Sequence, residues 1–436
     1  MKRRLIFGLV TALLALNLGL GAWIYCSSAR AAGQKDSVYS NLELFTYVLE
    51  KVRADYVDGT NLTYHDLVCA ALKGMIGSLD PHSEFMTADD YLQLQDDTEG
   101  EFGGLGLVVS MKDHYITVVA PMEDTPGFRA GILSGDRILK INGRGTARMP
   151  LTDAVKDLRG NPGTSVTVTI QRPATGVEKD YTLTRAVIKM DMVKDINGSN
   201  QFPLGPDKIG YIRITQFGDK TGEELETALR KLQARGMKAL ILDLRWNPGG
   251  LLDQAVAVCQ KFLPRGQLIV STEGRNPGQD SIRRADGRGD ELHGEPMVVL
   301  VNLGSASAAE IVTGCLQDLH RAVVLGEKTF GKGSVQSIFP LDDGSALKLT
   351  TAKYYTPSHR IINERGITPD IPVPMTDQEE SALILKREPG GLASLDPAER
   401  ARVEAIQDVQ LNRAEDLLKG MLLYSQLATP EKVAAK

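Results

Sequence analysis

MVVLVNLGSASAAEIVTGCLQDL, Met297–Leu319, passes from a strand to a helix through a glycine-containing turn. Met297 to Val301 is an uninterrupted apolar run, the pattern of a strand covered on both faces. Asn302-Leu303-Gly304-Ser305 has turn composition. Beyond it Ala308, Ile311, Val312, Cys315, Leu316 and Leu319 recur at helical spacing, so Ser307 falls at or just before the first turn of a helix. The first N–H groups of a helix have no partner within it and carry the positive end of its dipole. The pattern therefore predicts that Ser307 is presented rather than buried, with the N–H of Ala308 facing negative charge that develops beside it.

A second strand-turn-helix lies upstream. Ala239–Leu244 (ALILDL) ends in Arg245-Trp246-Asn247-Pro248-Gly249-Gly250, and Leu252, Ala255, Val256, Cys259 and Leu263 then mark the buried face of another helix. Paired glycines let backbone approach a ligand closely, so an N–H of Gly249 or Gly250 is expected to be the second oxyanion donor. Downstream, Thr329-Phe330-Gly331-Lys332-Gly333-Ser334-Val335-Gln336 carries a lysine on a glycine-flanked loop. A lysine acts as a base only when desolvation lowers its pKa, and Phe330, Val335, Ile338 and Phe339 are apolar neighbours that permit burial. Serine and lysine together point to acyl transfer without histidine.

Histidine is the competing base. His65, His82, His114, His293, His320 and His359 form no triad motif, and His320 lies about 20 Å along the helix from Ser307 at ~1.5 Å per residue. No HExxH, CxxC or clustered-carboxylate pattern suggests a metal, and no cofactor is expected. With 50 Lys and Arg against 55 Asp and Glu, the net charge of −5 argues against generic nucleic-acid binding. Cys26, Cys69, Cys259 and Cys315 do not make a disulfide framework.

Between residues 98 and 187 the sequence changes character. Phe102-Gly103-Gly104-Leu105-Gly106-Leu107-Val108-Val109 is a glycine-rich loop entering a strand, followed by Ala130-Gly131-Ile132, Gly135-Asp136-Arg137-Ile138, Ile141-Asn142-Gly143 and the alternating Val166–Ile170. This resembles a PDZ domain. The resemblance implies that N–H groups of Gly103, Gly104, Leu105, Gly106 and Leu107 capture a terminal carboxylate while the next strand pairs with the peptide. It also suggests that Arg172, just after the last strand, contacts the protease domain.

DLRWNPGG, VNLGSASAAEIVTG, LQD, GEKTFGKGSVQ and RGITPDIPV, in that order, resemble the carboxy-terminal processing peptidases, and the likeness runs from about residue 38 to residue 420. It implies a serine endopeptidase with a ClpP/crotonase-like ββα core (188–375, with 36–97 packed on it) and an inserted PDZ domain (98–187). Ser307 would be nucleophile, Lys332 general base and Gln336 the residue orienting them. Ala308, Gly249 and Gly250 would form the oxyanion hole, and Glu310, Asp318 and Thr329 would support the pair. Ser305 ranks below Ser307, since relatives tolerate threonine there.

The ends of the chain bear on location and assembly. Lys2-Arg3-Arg4 precedes Leu5–Ala29, an uncharged stretch long enough to span a bilayer, with Ala29-Arg30-Ala31 as a cleavage site; residues 1–31 are expected to export the chain and anchor it in the inner membrane of a cell envelope, periplasmic side out. Residues 36–97 and 376–436 read as N- and C-terminal helical regions, which in relatives mediate dimer contacts, so a homodimer is expected. Asp377–Pro397, with Pro389-Gly390-Gly391, reads as a linker, Asn276–Gly294 as an exposed loop, and 396–420 as one helix. Expected partners are proteins with free C-termini and a regulatory protein. The rival readings are a non-catalytic cell-envelope PDZ scaffold, and a crotonase-like acyl-CoA enzyme, which the PDZ segment and leader disfavour.

Overall fold

The computed structural model describes residues 8, 16–20, 37–59, 62–112, 114–122, 124–287, 294–387, 392 and 395–428. It divides into two compact units, Met1–Pro81 and His82–Lys436. In the first, α1 (Val38–Asp55) buries none of its residues. α2 (Tyr64–Gly77) starts at a Thr63 cap, whose hydroxyl accepts the Asp66 N–H at 3.0 Å. Tyr64 joins the pair, donating to Glu50 at 3.0 Å while the Arg53 guanidinium covers its ring. The expected leader lies largely outside the described residues, and among these no helix is long and apolar enough to cross a membrane.

The second unit opens with β1 (Glu84–Met86) and α3 (Ala88–Glu99), a helix closed at its start by a Thr87/Asp90 capping box and at its end by Gly100 at φ 69°. These elements fall in the region expected to be part of the N-terminal helices, yet belong to the larger unit. Then follow β2 (Glu101–Gly104), β3 (Leu107–Lys112), β4 (Tyr115–Pro121), α4 (Pro126–Arg129), β5 (Arg137–Ile141), β6 (Arg144–Gly145), α5 (Leu151–Leu158), β7 (Ser165–Arg172), β8 (Val177–Thr184) and β9 (Ala186–Lys189). β3-β4-β5-β7-β8 form an antiparallel sheet around Ile116, Val118, Ile138, Ile141, Val166 and Val168. β2 and β9 pair with each other, so the chain leaves and re-enters the main body through a two-stranded stalk. Arg172 does not reach out of this module: its guanidinium grips the buried Asp136 through two bonds of 2.8 Å and donates to the Gly131 carbonyl at 2.9 Å. A buried carboxylate without that fork would stand uncompensated, so the internal pairing wins.

The core follows: β10 (Val193–Lys194), β11 (Ile209–Ile214), α6 (Thr221–Ala234), β12 (Ala239–Asp243), α7 (Leu252–Gln260), β13 (Leu268–Gly274), β14 (Ser281–Arg284), β15 (Met297–Val301), α8 (Ala308–Asp318), β16 (Val323–Gly326), β17 (Ser334–Pro340), β18 (Ala346–Tyr355) and β19 (Ile371–Pro372). β11-β12-β15-β16-β19 run parallel, with β10 antiparallel at the edge. Every residue of β12 and β15 is buried, as their apolar runs predict. One face meets α6, α7 and α8 through Ile212, Leu240, Val299 and Val312. A second, antiparallel sheet, β1-β18-β13-β14 with β17 on β18, packs beyond α7 and α8. Asn276–Gly294 is thus not simply a loop: Ser281–Arg284 forms β14, because Ser281 and Ile282 find ladder partners in Thr272 and Ser271.

The other face of the parallel sheet is covered by the C-terminus. α9 (Asp377–Arg387), α10 (Pro397–Ala405) and α11 (Val409–Ala428) follow β19, and Ala414 and Leu418 of α11 pack on Ala239, Ile241, Val298 and Leu300. Of the linker expected over 377–397, Asp377–Arg387 is corrected to a helix, capped by reciprocal Thr376 and Glu379 bonds and buried through Ala382 and Leu383, while Pro389-Gly390-Gly391 lies outside the described residues. The single helix expected over 396–420 is broken between Ala405 and Val409, where Asp408 turns inward.

Candidate active site

β12 and β15 are parallel neighbours, with Asp243 opposite Leu300, so the turns leaving their C-terminal ends lie side by side. That is where open α/β sheets place ligand sites. In the turn after β15, Ser305 is wholly buried; its hydroxyl donates to the Leu244 carbonyl at 2.8 Å and accepts from the Asn302 N–H at 3.0 Å. Ser305 is therefore a fastener. Ser307 is half-buried and caps α8 with φ 53° and ψ −115°. Holding a non-glycine residue there costs on the order of 1–3 kcal/mol, and such a strained elbow lifts a side chain off the turn.

Glu310 ties this elbow to the lysine loop. Its Oε2 accepts the N–H of Ser307 and the N–H of Lys332, both at 2.9 Å, while Oε1 accepts the Gly331 N–H at 2.7 Å and the Thr329 hydroxyl at 2.6 Å. Thr329 in turn accepts the Ile367 N–H at 2.7 Å. Burial pushes the Glu310 carboxyl above its ordinary range, against the opposing pull of these four donors. Two of the three residues expected to support the pair are thus in place. The third, Asp318, is not: it ends α8, about 17 Å from Ser307 at ~1.5 Å per residue. There it accepts from Ser358 N and Oγ at 2.9 and 2.6 Å and pairs with Arg360.

The turn after β12 divides its two glycines. Asn247, fully buried, donates to the Ile214 carbonyl and accepts the Gly249 N–H, both at 2.8 Å, and its carbonyl accepts the Ala306 N–H at 2.9 Å. The Gly249 N–H is thereby engaged and unavailable to an oxyanion. Among the described residues no acceptor meets the N–H of Gly250 or of Ala308. Gly249 serves by absence of bulk: a Cβ there would lie 2.7 Å from Ser307 Cβ and 3.0 Å from Ala308 N.

Ser307, Ala308, Gly250, Lys332 and Gln336 line one cavity of about 240 Å³, walled by apolar residues including Phe217, Ile311 and Val335. Lys332 is half-buried; Val335 packs on the core, whereas Phe330 and Phe339 are exposed and do not enclose it. The Gln336 amide donates to Ser334 Oγ at 2.9 Å and Thr350 Oγ1 at 3.4 Å. Sequence reasoning missed Tyr354, which is buried in the wall of the cavity that Ser307 lines and donates its hydroxyl to the Lys332 carbonyl. Burial, then the Glu310 carboxylate, push its phenol well above the ordinary value, so it remains a neutral donor. The only sequence signal was a polar-ended aromatic at an inward position of a strand.

A second cavity, of about 140 Å³, runs between β3 and α5, lined by Gly104, Leu105, Gly106, Leu107, Val155 and Arg159. The carbonyls of Leu105 and Gly106 each accept an inward bond of 2.8 Å, from Gly127 and Met122. Gly103 is not part of it, being in β2 with a Cβ position 2.0 Å from the Gly160 carbonyl. Of the five residues expected to capture a terminal carboxylate, Gly104, Leu105, Gly106 and Leu107 therefore line this cavity and Gly103 does not.

These features define a PDZ-bearing α/β peptidase. The profile of peptidase family S41 matches residues 208–373, and that of the PDZ domain residues 117–172. A carboxy-terminal-processing protease of Bartonella bacilliformis is 39% identical over 99% of this chain and 100% of its own. A protein of Staphylococcus aureus named "probable CtpA-like serine protease" is 35% identical over 83% of this chain and 71% of its own. A solved S41 protease structure from Bacteroides fragilis, 19% identical, shares the fold with a TM-score of 0.50 over 86% of this chain and 97% of that one. The chain belongs to the carboxy-terminal-processing serine proteases of peptidase family S41.

Proposed function

We propose that the chain is an exported endopeptidase that cleaves peptide bonds with a Ser307/Lys332 dyad. Lys332 takes the Ser307 proton as Oγ attacks the scissile carbonyl and returns it to the leaving amine. The N–H groups of Ala308 and Gly250 hold the oxyanion, each worth on the order of 3 kcal/mol in the transition state. Water then hydrolyses the acyl-enzyme. The observation that carries this reading is the Glu310 carboxylate bonded to the backbone N–H of both Ser307 and Lys332, with both residues lining one cavity.

The groove between β3 and α5 engages substrate C-termini through the Leu105–Leu107 loop and an added strand on β3. The basic and apolar leader, Lys2 to Ala29, exports the chain and tethers it to the inner membrane, leaving the catalytic unit in the periplasm. Helices at the two ends of the chain support a homodimer, and a regulatory protein acts on the assembled enzyme.

Hydrolysis of an unstructured protein is the test. Wild type is expected to cleave it, and Ser307→Ala to lose more than about 10³-fold. Lys332→Arg keeps the charge but cannot release a proton, so it is expected to be as inactive as Lys332→Ala. Full activity in either lysine variant would remove Lys332 as the base.

A further inference from the structure

The C-terminal helices do more than cover the sheet. Glu380, on the first turn of α9, places one oxygen between the two turns that build the site. Its Oε1 accepts the Trp246 indole N–H at 2.6 Å and the Asn302 amide at 3.1 Å. Asn302 is fully buried, and its own Oδ1 accepts the N–H of Trp246 at 2.9 Å and of Gly304 at 3.1 Å. Trp246 sits four residues before Gly250, and Asn302 five before Ser307. One carboxylate oxygen thus closes a bridge from the turn carrying one open N–H to the turn carrying the serine and the other.

The bridge holds a conformation that the local sequence does not favour. Trp246 has φ 57°, a left-handed value that a bulky residue keeps only when its surroundings over-determine it. The turns also touch: a Cβ on Gly304 would meet Trp246 Cα at 2.9 Å. Arg245 is fixed from the same side, donating to Asp408 Oδ1 and Oδ2 at 2.8 Å and to Gln410 at 3.1 Å. Without Glu380, the indole and the buried Asn302 amide both lose their acceptor, and the strained residue loses its outer anchor.

We infer that Glu380 is a positioning residue for the oxyanion site, setting Gly250 N–H and Ala308 N–H at converging distance although it touches no substrate. The inference rests on the proposed function. A turn displaced by an ångström leaves substrate binding largely intact but forfeits transition-state stabilisation.

The test compares wild type, Ser307→Ala, Glu380→Ala and Glu380→Gln in the full chain, on an unstructured peptide substrate. Glutamine keeps an Oε1 that accepts both bonds, so Glu380→Gln should stay within about threefold of wild type. Glu380→Ala should lower kcat per folded molecule by about 10- to 100-fold with KM within about threefold. It should weaken binding of a peptide aldehyde, whose adduct forms the same oxyanion, by a similar factor. Circular dichroism supplies the folded fraction. Unchanged kcat per folded molecule in Glu380→Ala, a rise in KM alone, or equal damage from Glu380→Gln would each overturn the inference. A wild type no more active than Ser307→Ala would overturn the proposed function first, and the inference with it.

Discussion

A methyl group on Gly249 has no room. It would press on Ser307 Cβ at 2.7 Å and on Ala306 O at 2.9 Å, at a φ of 103° that strains any L side chain. Gly249→Ala is therefore expected to cut kcat/KM by about 100-fold or more, with substrate affinity far less affected; a kinetic titration checks it. Glu310 permits a pH prediction with a definite sign. Its carboxyl is raised by burial, so the folded chain binds this proton more readily than the unfolded chain; this group's contribution to stability falls as pH rises from the ordinary carboxylate range to the folded value. Activity should move oppositely, because only the carboxylate accepts all four bonds. Glu310→Gln turns an amide toward N–H groups and should cost about 2–3 kcal/mol of stability as well as most activity, read by melting and pH-rate profiles. The placement of Ser307 before a helix and of Lys332 on a loop lining the same cavity was legible because a helix start and a glycine-flanked loop have compositional signatures. The division of labour between Gly249 and Gly250 was not, since it is decided by where the Asn247 side chain points.

At the scale of elements, β12 and β15 were legible for the reason they are stable: burial on both faces demands unbroken apolar runs. α9 misled because its polar residues face inward. Arg387 donates to Asp243 Oδ2 at 2.8 Å, where Arg245 and the Tyr211 hydroxyl also converge, at 2.7 Å each. A helix that buries only Ala382 and Leu383 and otherwise meets the sheet through charged groups has too narrow an apolar stripe for periodicity to find. Burial alone would raise the Asp243 carboxyl, but Arg245 and Arg387 overcome it and hold the group far below the carboxylate range. A depressed pKa contributes stability above the unfolded value and loses it only as pH falls through the folded one, so this network should survive mild acid. Asp243→Asn leaves two guanidiniums facing each other and is expected to cost about 3–5 kcal/mol. Chemical denaturation measures that loss, and limited proteolysis should show α9 to α11 detaching first.

For the whole molecule, the decisive question is how the PDZ module communicates with the cavity that holds Ser307. The stalk of β2 and β9 is a fixed ladder, whereas the helix beside the groove, α5, meets α3 through an exposed ion pair, Lys156 with Asp89 at 2.5 Å, and a half-buried one, Arg159 with Asp97 at 3.2 Å. Arg159 also lines the groove, and Leu94 and Thr98 of α3 line the cavity beside Ser307. A peptide entering the groove therefore meets a side chain that holds the wall of the active site. The exposed pair is worth about 0–1 kcal/mol and is screened by salt, and Asp97 still faces solvent, so the clasp can be released at little cost. The expected result is that a peptide with a free C-terminal carboxylate, and not its amide, raises kcat on a second, C-terminally amidated substrate. Coupling of ~1 kcal/mol limits the gain to about fivefold. Asp97→Asn should raise the basal rate and abolish the response, and high salt should mimic it. Equal rates with peptide acid, peptide amide and no peptide would make the module a tether that delivers substrate without opening the site.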